Sequence, residues 1–214
     1  SDHNHQRIDK SGTKFPEGEK FYVKDDGKKY VSRGGFKLEK ALKVFNIDLT
    51  DKICLDIGAS TGGFTDVALQ NGAQMVYALD VGYNQLAWQL RDDPRVVVME
   101  KQNFRLIMPP MYEILKDKCD AVCLIKPQFE AGPENVGKHG IVHDHEVHKA
   151  VIEHTMQKAL EIGFNVLGVD YSPIKGGKGN IEFLIHLQKD EANGGRNLWQ
   201  GSPAEVVERA VSGL

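Results

Sequence analysis

Residues 53–63, I-C-L-D-I-G-A-S-T-G-G, constrain the fold more than any other stretch, because a short apolar strand there runs directly into a glycine-rich turn. A second apolar run, Met75–Leu79, ends at Asp80 one crossover later. A strand, a crossover and another strand at this spacing imply parallel pairing, the first half of an open α/β sheet that holds a nucleoside at the carboxyl ends of its strands. A dinucleotide fingerprint, G-x-G-x-x-G, is not met: Ala59 and Ser60 stand where a second glycine would admit a pyrophosphate. The acid ahead of the first glycine, Asp56, suits a ligand with an amino-acid tail. S-adenosylmethionine is such a ligand, whereas NAD would bring two phosphates towards Asp56.

At 214 residues, 41% of them apolar and 27% charged, the chain is long enough for one sizeable core and a small appendage. Its longest apolar runs, such as 121–125, fall well short of the roughly 20 residues that a spanning helix requires. The first residues, S-D-H-N-H-Q-R, contain no apolar h-region, and the three cysteines, Cys54, Cys119 and Cys123, sit in apolar segments. These features predict a cytoplasmic protein with reduced core thiols and no membrane association. The net charge of −3 does not itself point to nucleic acid. Its distribution is uneven: residues 1–50 carry 11 Lys and Arg against 8 Asp and Glu, and residues 51–214 carry 16 against 22. The amino-terminal fifth is either the surface that meets a polyanion or a solvated lysine-rich segment.

Three regions follow along the chain: a polar stretch with short β-like pieces over 1–29, a sheet-forming domain over 30–189, and a linker with a closing helix over 190–214. Phe36, Leu38, Ala41, Leu42 and Phe45 recur at helical spacing, so a helix should begin after Gly34-Gly35 and end near Asn46. Strands are predicted at 53–57, 75–79 and 96–99, with helices over 64–70 and 83–91 between them. A helix over 106–115 then leads to a strand at 121–125. A fourth strand would ordinarily lie beside the first, yet no apolar run between Phe104 and Leu106 supplies it. Either that strand is lost or the sequence leaves out an internal segment of about 10 to 25 residues. The second alternative is favoured, because a gap beside the central strand would expose unpaired backbone. After Lys126 comes a glycine-punctuated loop, then a helix over 144–162 capped by Gly163. Strands over 164–169 and 181–187, joined by a turn-rich connection, should pair antiparallel. A last helix covers 203–211.

Polar residues at strand ends carry the candidate chemistry. Asp56 is placed to hold the amino group of a methionine tail, and Gly58, Gly62 and Gly63 let the backbone approach it. Asp80, about 20 residues beyond the turn, is placed either to accept from ribose hydroxyls or to serve as a turn residue. Lys126 closes an apolar strand just before Pro127, where partial desolvation would favour its neutral form and make it a general base; a strand-end lysine can equally reach water. Glu182, early in the last strand, faces the same crevice or is an edge charge. His139, His143, His145 and His148 do not show H-E-x-x-H spacing, and the last two read as the polar start of a helix, so no metal site is assigned.

Five motifs now occur in a single order: Tyr30-Val31-Ser32-Arg33-Gly34-Gly35-Phe36-Lys37-Leu38; the turn from Asp56 to Phe64; Ala78-Leu79-Asp80-Val81-Gly82; Ile125-Lys126-Pro127-Gln128-Phe129-Glu130-Ala131-Gly132; and Lys178-Gly179-Asn180-Ile181-Glu182-Phe183. In this the chain resembles the TlyA family, haemolysin-named ribosomal RNA methyltransferases with an FtsJ-like catalytic domain. The resemblance implies a Rossmann-like class I S-adenosylmethionine-dependent methyltransferase, its sheet mostly parallel with an antiparallel last strand. It also implies ribosomal RNA or a ribosomal subunit as partner, and transfer to a ribose 2′-hydroxyl by a Lys-Asp-Lys-Glu tetrad. Lys37, Lys126 and Glu182 match three members; the aspartate belongs to the strand not found. Asp120 is not its counterpart, since it precedes its strand. The cofactor set it implies is Asp56, Gly58, Ser60, Thr61, Gly62, Gly63, Phe64, Asp80 and Val81. Residues 9–23 resemble the end of the family's S4-type RNA-binding module. Two other functions compete: a membrane-active haemolysin, which needs a spanning or strongly amphipathic segment, and a non-catalytic RNA-binding domain of the same fold.

Overall fold

A computed structural model describes residues 27–101 and 108–214. The readings for residues 9–23 and for 104–106 therefore lie outside the described residues. Strands β1 (Ile53–Ile57), β2 (Met75–Leu79) and β3 (Val96–Met99) form a parallel sheet in the order β1-β2-β3, with Asp56 opposite Ala78 and Ile57 opposite Leu79. Strands β4 (Asp120–Ile125), β5 (Phe164–Tyr171) and β6 (Phe183–Lys189) form a second sheet in the order β4-β6-β5, antiparallel throughout. Among the described residues, neither β1 nor β4 pairs with a strand on its other side. Each half of the fold thus ends in an open edge where one continuous sheet was expected. Ile53, at the start of β1, is 62% exposed, which is unusual for a strand that would ordinarily be central.

The helices are α1 (Gly35–Val44), α2 (Gly63–Gln70), α3 (Trp88–Arg91), α4 (Met108–Ile114), α5 (Pro127–Glu130), α6 (His145–Ile162) and α7 (Pro203–Gly213). Most match the expected periodicity, with three differences. The helix expected over 83–91 shrinks to α3, because Asn84 adopts a left-handed backbone (φ 57°) that a right-handed helix cannot include; its N–H goes to the Glu100 carboxylate at 2.8 Å. A one-turn helix, α5, forms where a loop was expected, started by Pro127 at its first position, where the missing N–H costs nothing. β6 begins at Phe183, so Glu182 stands just before the strand instead of early within it.

Three clusters fill the interior. The largest lies against the antiparallel sheet and joins Phe164, Val166, Phe183, Ile185 and Leu187 to Ile152 and Ala159 of α6 and Val206 of α7. The closing helix is thus part of the core; Ser202 and Glu205 cap it reciprocally. A second cluster lies under the parallel sheet around Val76, Leu86 and Leu90. The third belongs to both halves: Leu38, Ala41 and Leu42 of α1 meet Val67 of α2 and Leu184 of β6.

His148, the first buried residue of α6, lies edge-on to Phe183 of the largest cluster, and its Nε2 reaches the Val142 carbonyl at 3.1 Å while Nδ1 has no partner among the described residues. Burial lowers its pKa from the ordinary 6.5. The folded state therefore holds His148 neutral where the unfolded chain takes up a proton. Its contribution to stability is complete above about pH 6.5 and is lost as the pH falls through the depressed folded value. Urea unfolding at pH 7.5 and 5.5 should show a larger loss of stability on acidification in the native protein than in His148→Gln, which keeps a donor for Val142 but does not titrate.

Candidate active site

The glycine turn follows β1 without a break. Gly58 (φ 82°) and Ala59 both donate backbone N–H bonds to the Leu79 carbonyl, at 2.8 and 2.9 Å, which locks the turn onto the end of β2. A Cβ at Gly58 would meet nothing within 4 Å, so open space lies above this strand end. Gly62 (φ 97°) caps α2 in the left-handed region, and a Cβ there would collide with Leu86 and Leu90. Gly63 packs against the start of α1: a Cβ would collide with the Ser32 hydroxyl and stand 2.9 Å from the Gly35 nitrogen. The two helix starts can meet only because no side chain stands between them.

Asp56 Oδ2 accepts from the Thr65 hydroxyl at 2.7 Å and the Thr65 N–H at 3.0 Å. Oδ1 has no hydrogen-bond partner among the described residues. Burial pushes its carboxyl pKa up against the pull of those Thr65 bonds, and Asp80 adds to the upward push. An ammonium group at Oδ1 would relieve both effects. Asp80 receives the Ser60 N–H on Oδ2 at 2.6 Å and the Gly82 N–H on Oδ1 at 2.7 Å, so it ties the glycine turn to its own. Ser60 (φ 49°) and Thr61 are exposed on the turn, and Val81 is exposed beside Asp80. Phe64 instead packs, partly buried, against the cluster shared by α1 and β6.

The expected catalytic residues also converge. Lys37, 8% exposed in the first turn of α1, forms an ion pair with Glu182, which is 2% exposed. The antiparallel register that sets Ile125 opposite Phe183 makes Lys126 and Glu182 the next pair beyond the strand ends. The Lys126 ammonium makes no hydrogen bond or ion pair among the described residues; it lies over the Phe129 ring, 6.0 Å from the centroid. Glu130 holds the turn by accepting from the Lys126 N–H and the Thr155 hydroxyl, both at 2.9 Å. Asp120, at the opposite end of β4, pairs with His186 at 2.8 Å, far along the strand from Lys126.

Two residues not singled out from sequence complete this arrangement. Gln128 donates from Nε2 to Glu182 Oε1 at 3.0 Å, while its own carbonyl oxygen is buried without a partner. The backbone of Gly176 closes over the same carboxylate so tightly that a Cβ would collide with it. Neither carried a periodic or spacing signal; Gln128 lay inside a quoted motif, and Gly176 in a turn that read as flexible. Among the described residues, no three His, Cys, Asp or Glu side chains converge as a metal ion requires.

A parallel half-sheet with a glycine turn and strand-end acids, joined to a buried Lys-Glu pair beside a second lysine, defines a methyltransferase-like site. The family model of the FtsJ-like methyltransferases matches residues 30–123 and 107–189, and the chain belongs to that family. YqxC of Bacillus subtilis, provisionally named an rRNA methyltransferase, is 47% identical over 233 residues, covering 97% of this chain and 83% of that protein. The 16S/23S rRNA (cytidine-2′-O)-methyltransferase TlyA of Mycobacterium tuberculosis is 39% identical over 216 residues, covering 89% of this chain and 79% of the relative. The crystal structure of a Lactococcus lactis protein provisionally named a hemolysin superposes with a TM-score of 0.82 at 51% identity, over 85% of this chain and 98% of that one. Against YqxC, 97% of 214 residues is about 208, some 25 short of the 233 aligned, so the relative carries about 25 positions with no counterpart here.

The Lys37–Glu182 pair sets a stability test. Removing one partner leaves the other buried and uncompensated, a change that costs about 3–5 kcal/mol. Glu182→Ala should lower the unfolding free energy by about that much in urea titrations, and the double change Lys37→Met with Glu182→Leu should cost less than Glu182→Ala alone.

Proposed function

We propose that the protein transfers a methyl group from S-adenosylmethionine to a ribose 2′-hydroxyl of ribosomal RNA. The observation that carries this reading is the convergence of Lys37, Glu182 and Lys126, joined through α1 to the glycine turn at Asp56. The residues present fit the cofactor. Half-buried Asp56 offers the methionine ammonium a carboxylate oxygen that accepts no hydrogen bond among the described residues, Gly58 leaves open space over the strand end, and Asp80 retains acceptor capacity for ribose hydroxyls beyond its two backbone bonds. Ser60, Thr61, Gly62, Gly63 and Val81 frame the same space. Phe64 contributes from the core side, by seating α2.

Bound there, S-adenosylmethionine supplies a methyl group on a sulfonium that leaves as a neutral thioether. The demands on the chain are alignment and one base. Lys126 in its amine form takes the proton of the 2′-hydroxyl as that oxygen attacks in line. The Lys37–Glu182 pair, braced by Gln128, fixes the wall against which the ribose sits. The fourth member of the family's tetrad, an aspartate, has no counterpart among the described residues, and we assign its absence to the positions, about 25 of them, by which the matched part of YqxC exceeds this chain. The cytidine in the name of TlyA from Mycobacterium tuberculosis makes cytidine the first nucleotide to test. The segment over 1–29 is proposed as the end of an S4-type RNA-binding module, 30–189 as the catalytic domain and 190–214 as its closing linker and helix, with the protein acting in the cytoplasm. The hemolysin name of the Lactococcus lactis protein raises a lytic reading; among the described residues no helix is long and apolar enough to cross a membrane.

Two variants separate the roles. Lys126→Ala should abolish transfer of tritiated methyl groups from S-adenosylmethionine to unmodified ribosomal RNA while leaving cofactor affinity within about twofold in calorimetric titration. Normal turnover by this variant would remove Lys126 from the mechanism. Asp56→Asn should weaken cofactor binding by roughly 10- to 100-fold, the worth of one charge-assisted buried hydrogen bond.

A further inference from the structure

We propose that Phe129 is the stacking platform for the base of the nucleotide being methylated, a substrate-binding contact that neither the motif pattern nor the comparisons assign. The inference rests on the ribose methyl transfer proposed above and adds to it the position of the base. Phe129 is 78% exposed, more than any other large apolar side chain among the described residues. Its exposure does not come from a loose loop. It sits on the one-turn helix α5, where buried Pro127 anchors the start, the Phe129 N–H bonds the Lys126 carbonyl at 2.9 Å and the Ala131 N–H bonds the Pro127 carbonyl at 2.9 Å. Glu130 fastens the same turn to Thr155 of α6 and to the Lys126 backbone. A rigid, presented aromatic ring forgoes the gain of burial, and among the described residues its one ring contact is the Lys126 ammonium.

That geometry suits a nucleotide. The base begins only three bonds from the 2′-oxygen, through C2′ and C1′, so a ribose seated with that oxygen against Lys126 brings its base within reach of a ring 6.0 Å from the same nitrogen. Sequence-specific recognition of RNA overwhelmingly targets unstacked bases, and these are received on aromatic faces. The other strongly exposed aromatics, Tyr83 and Trp88, follow Asp80 on the β2 side, and Lys101 already lies 4.9 Å over the Tyr83 ring. Phe129 is the exposed ring that accompanies the proposed base.

The test uses the full chain, native and as Phe129→Ala, Phe129→Leu and Phe129→Trp, with two probes. Unmodified 16S and 23S ribosomal RNA transcripts report methyl transfer, and fluorescein-labelled oligocytidylate reports binding by anisotropy. Phe129→Ala should raise KM for the transcripts and Kd for oligocytidylate by about tenfold or more, with kcat changed far less and the affinity for S-adenosylmethionine unaltered. Phe129→Trp should stay near the native values, and Phe129→Leu should behave like alanine, because leucine supplies bulk without a π face. Native RNA parameters in Phe129→Ala, or full rescue by leucine, would overturn the proposal. So would self-association in sedimentation that is lost in Phe129→Ala while RNA affinity stays unchanged, since the ring would then be a contact between copies. If the native protein transfers no methyl group, the catalytic reading fails. Oligocytidylate still decides the platform: weakening by alanine supports it, and equal binding rejects it.

Discussion

The buried ion pair between Lys37 and Glu182 is the interaction on which the rest of the structure depends, because no strand pairing among the described residues joins the two halves of the fold. Helix α1 serves as the bridge. Its apolar face packs on Val67 of α2 from one half and Leu184 of β6 from the other. Its polar side places Lys37 on Glu182, and Lys40 on Asp170 at 3.2 Å and the Tyr171 carbonyl at 2.6 Å. The start of α1 lies against Gly63, so the cofactor turn and the candidate catalytic residues sit at two ends of one short mechanical path. A displacement at either end would be felt at the other.

Burying a lysine and a glutamate is expensive in desolvation, and an apolar pair of the same size often packs as well. What the ion pair offers is geometric specificity. Glu182 is gripped from three directions, by the Lys37 ammonium, the Gln128 amide and the Gly176 backbone. A carboxylate so constrained gives a fixed wall beside Lys126, whose ammonium has no ion-pair partner among the described residues. One lysine is thus neutralised for structure and the other remains available for chemistry. The same division holds at the cofactor end, where Asp56 spends one oxygen on Thr65 and keeps the other.

Much of this was legible in the sequence, and what was not has identifiable causes. The strand-turn unit at Asp56 and the alternation around Phe183 signal strands in the sequence; the first formed where expected, and the second formed two residues later than the expected 181–187. Lys37, Lys126 and Glu182 were tied together by motif order and are brought together by the register of β4 on β6. Counting the strands that the topology requires found none in the sequence to lie beside β1, and among the described residues β1 has no partner on that side. Residues whose role arises only from tertiary approach were not visible. Gly176 matters for what its missing side chain leaves room for, Gln128 for a partner 54 positions away, and Phe129 for exposure, which no local pattern encodes. The first part of the helix expected over 83–91 did not form because a single residue, Asn84, takes a left-handed backbone, its N–H held by Glu100.

The central claim is that this site methylates ribose and not a base, and nucleoside mass spectrometry tests it most directly. Unmodified ribosomal RNA incubated with the protein and S-adenosylmethionine is digested to nucleosides, and fragmentation at the glycosidic bond places the added methyl group. The account predicts a 2′-O-methylated nucleoside, with the extra mass on the sugar fragment. A methyl group on the base fragment, or unmodified nucleosides throughout from a protein shown to bind both cofactor and RNA, would contradict it.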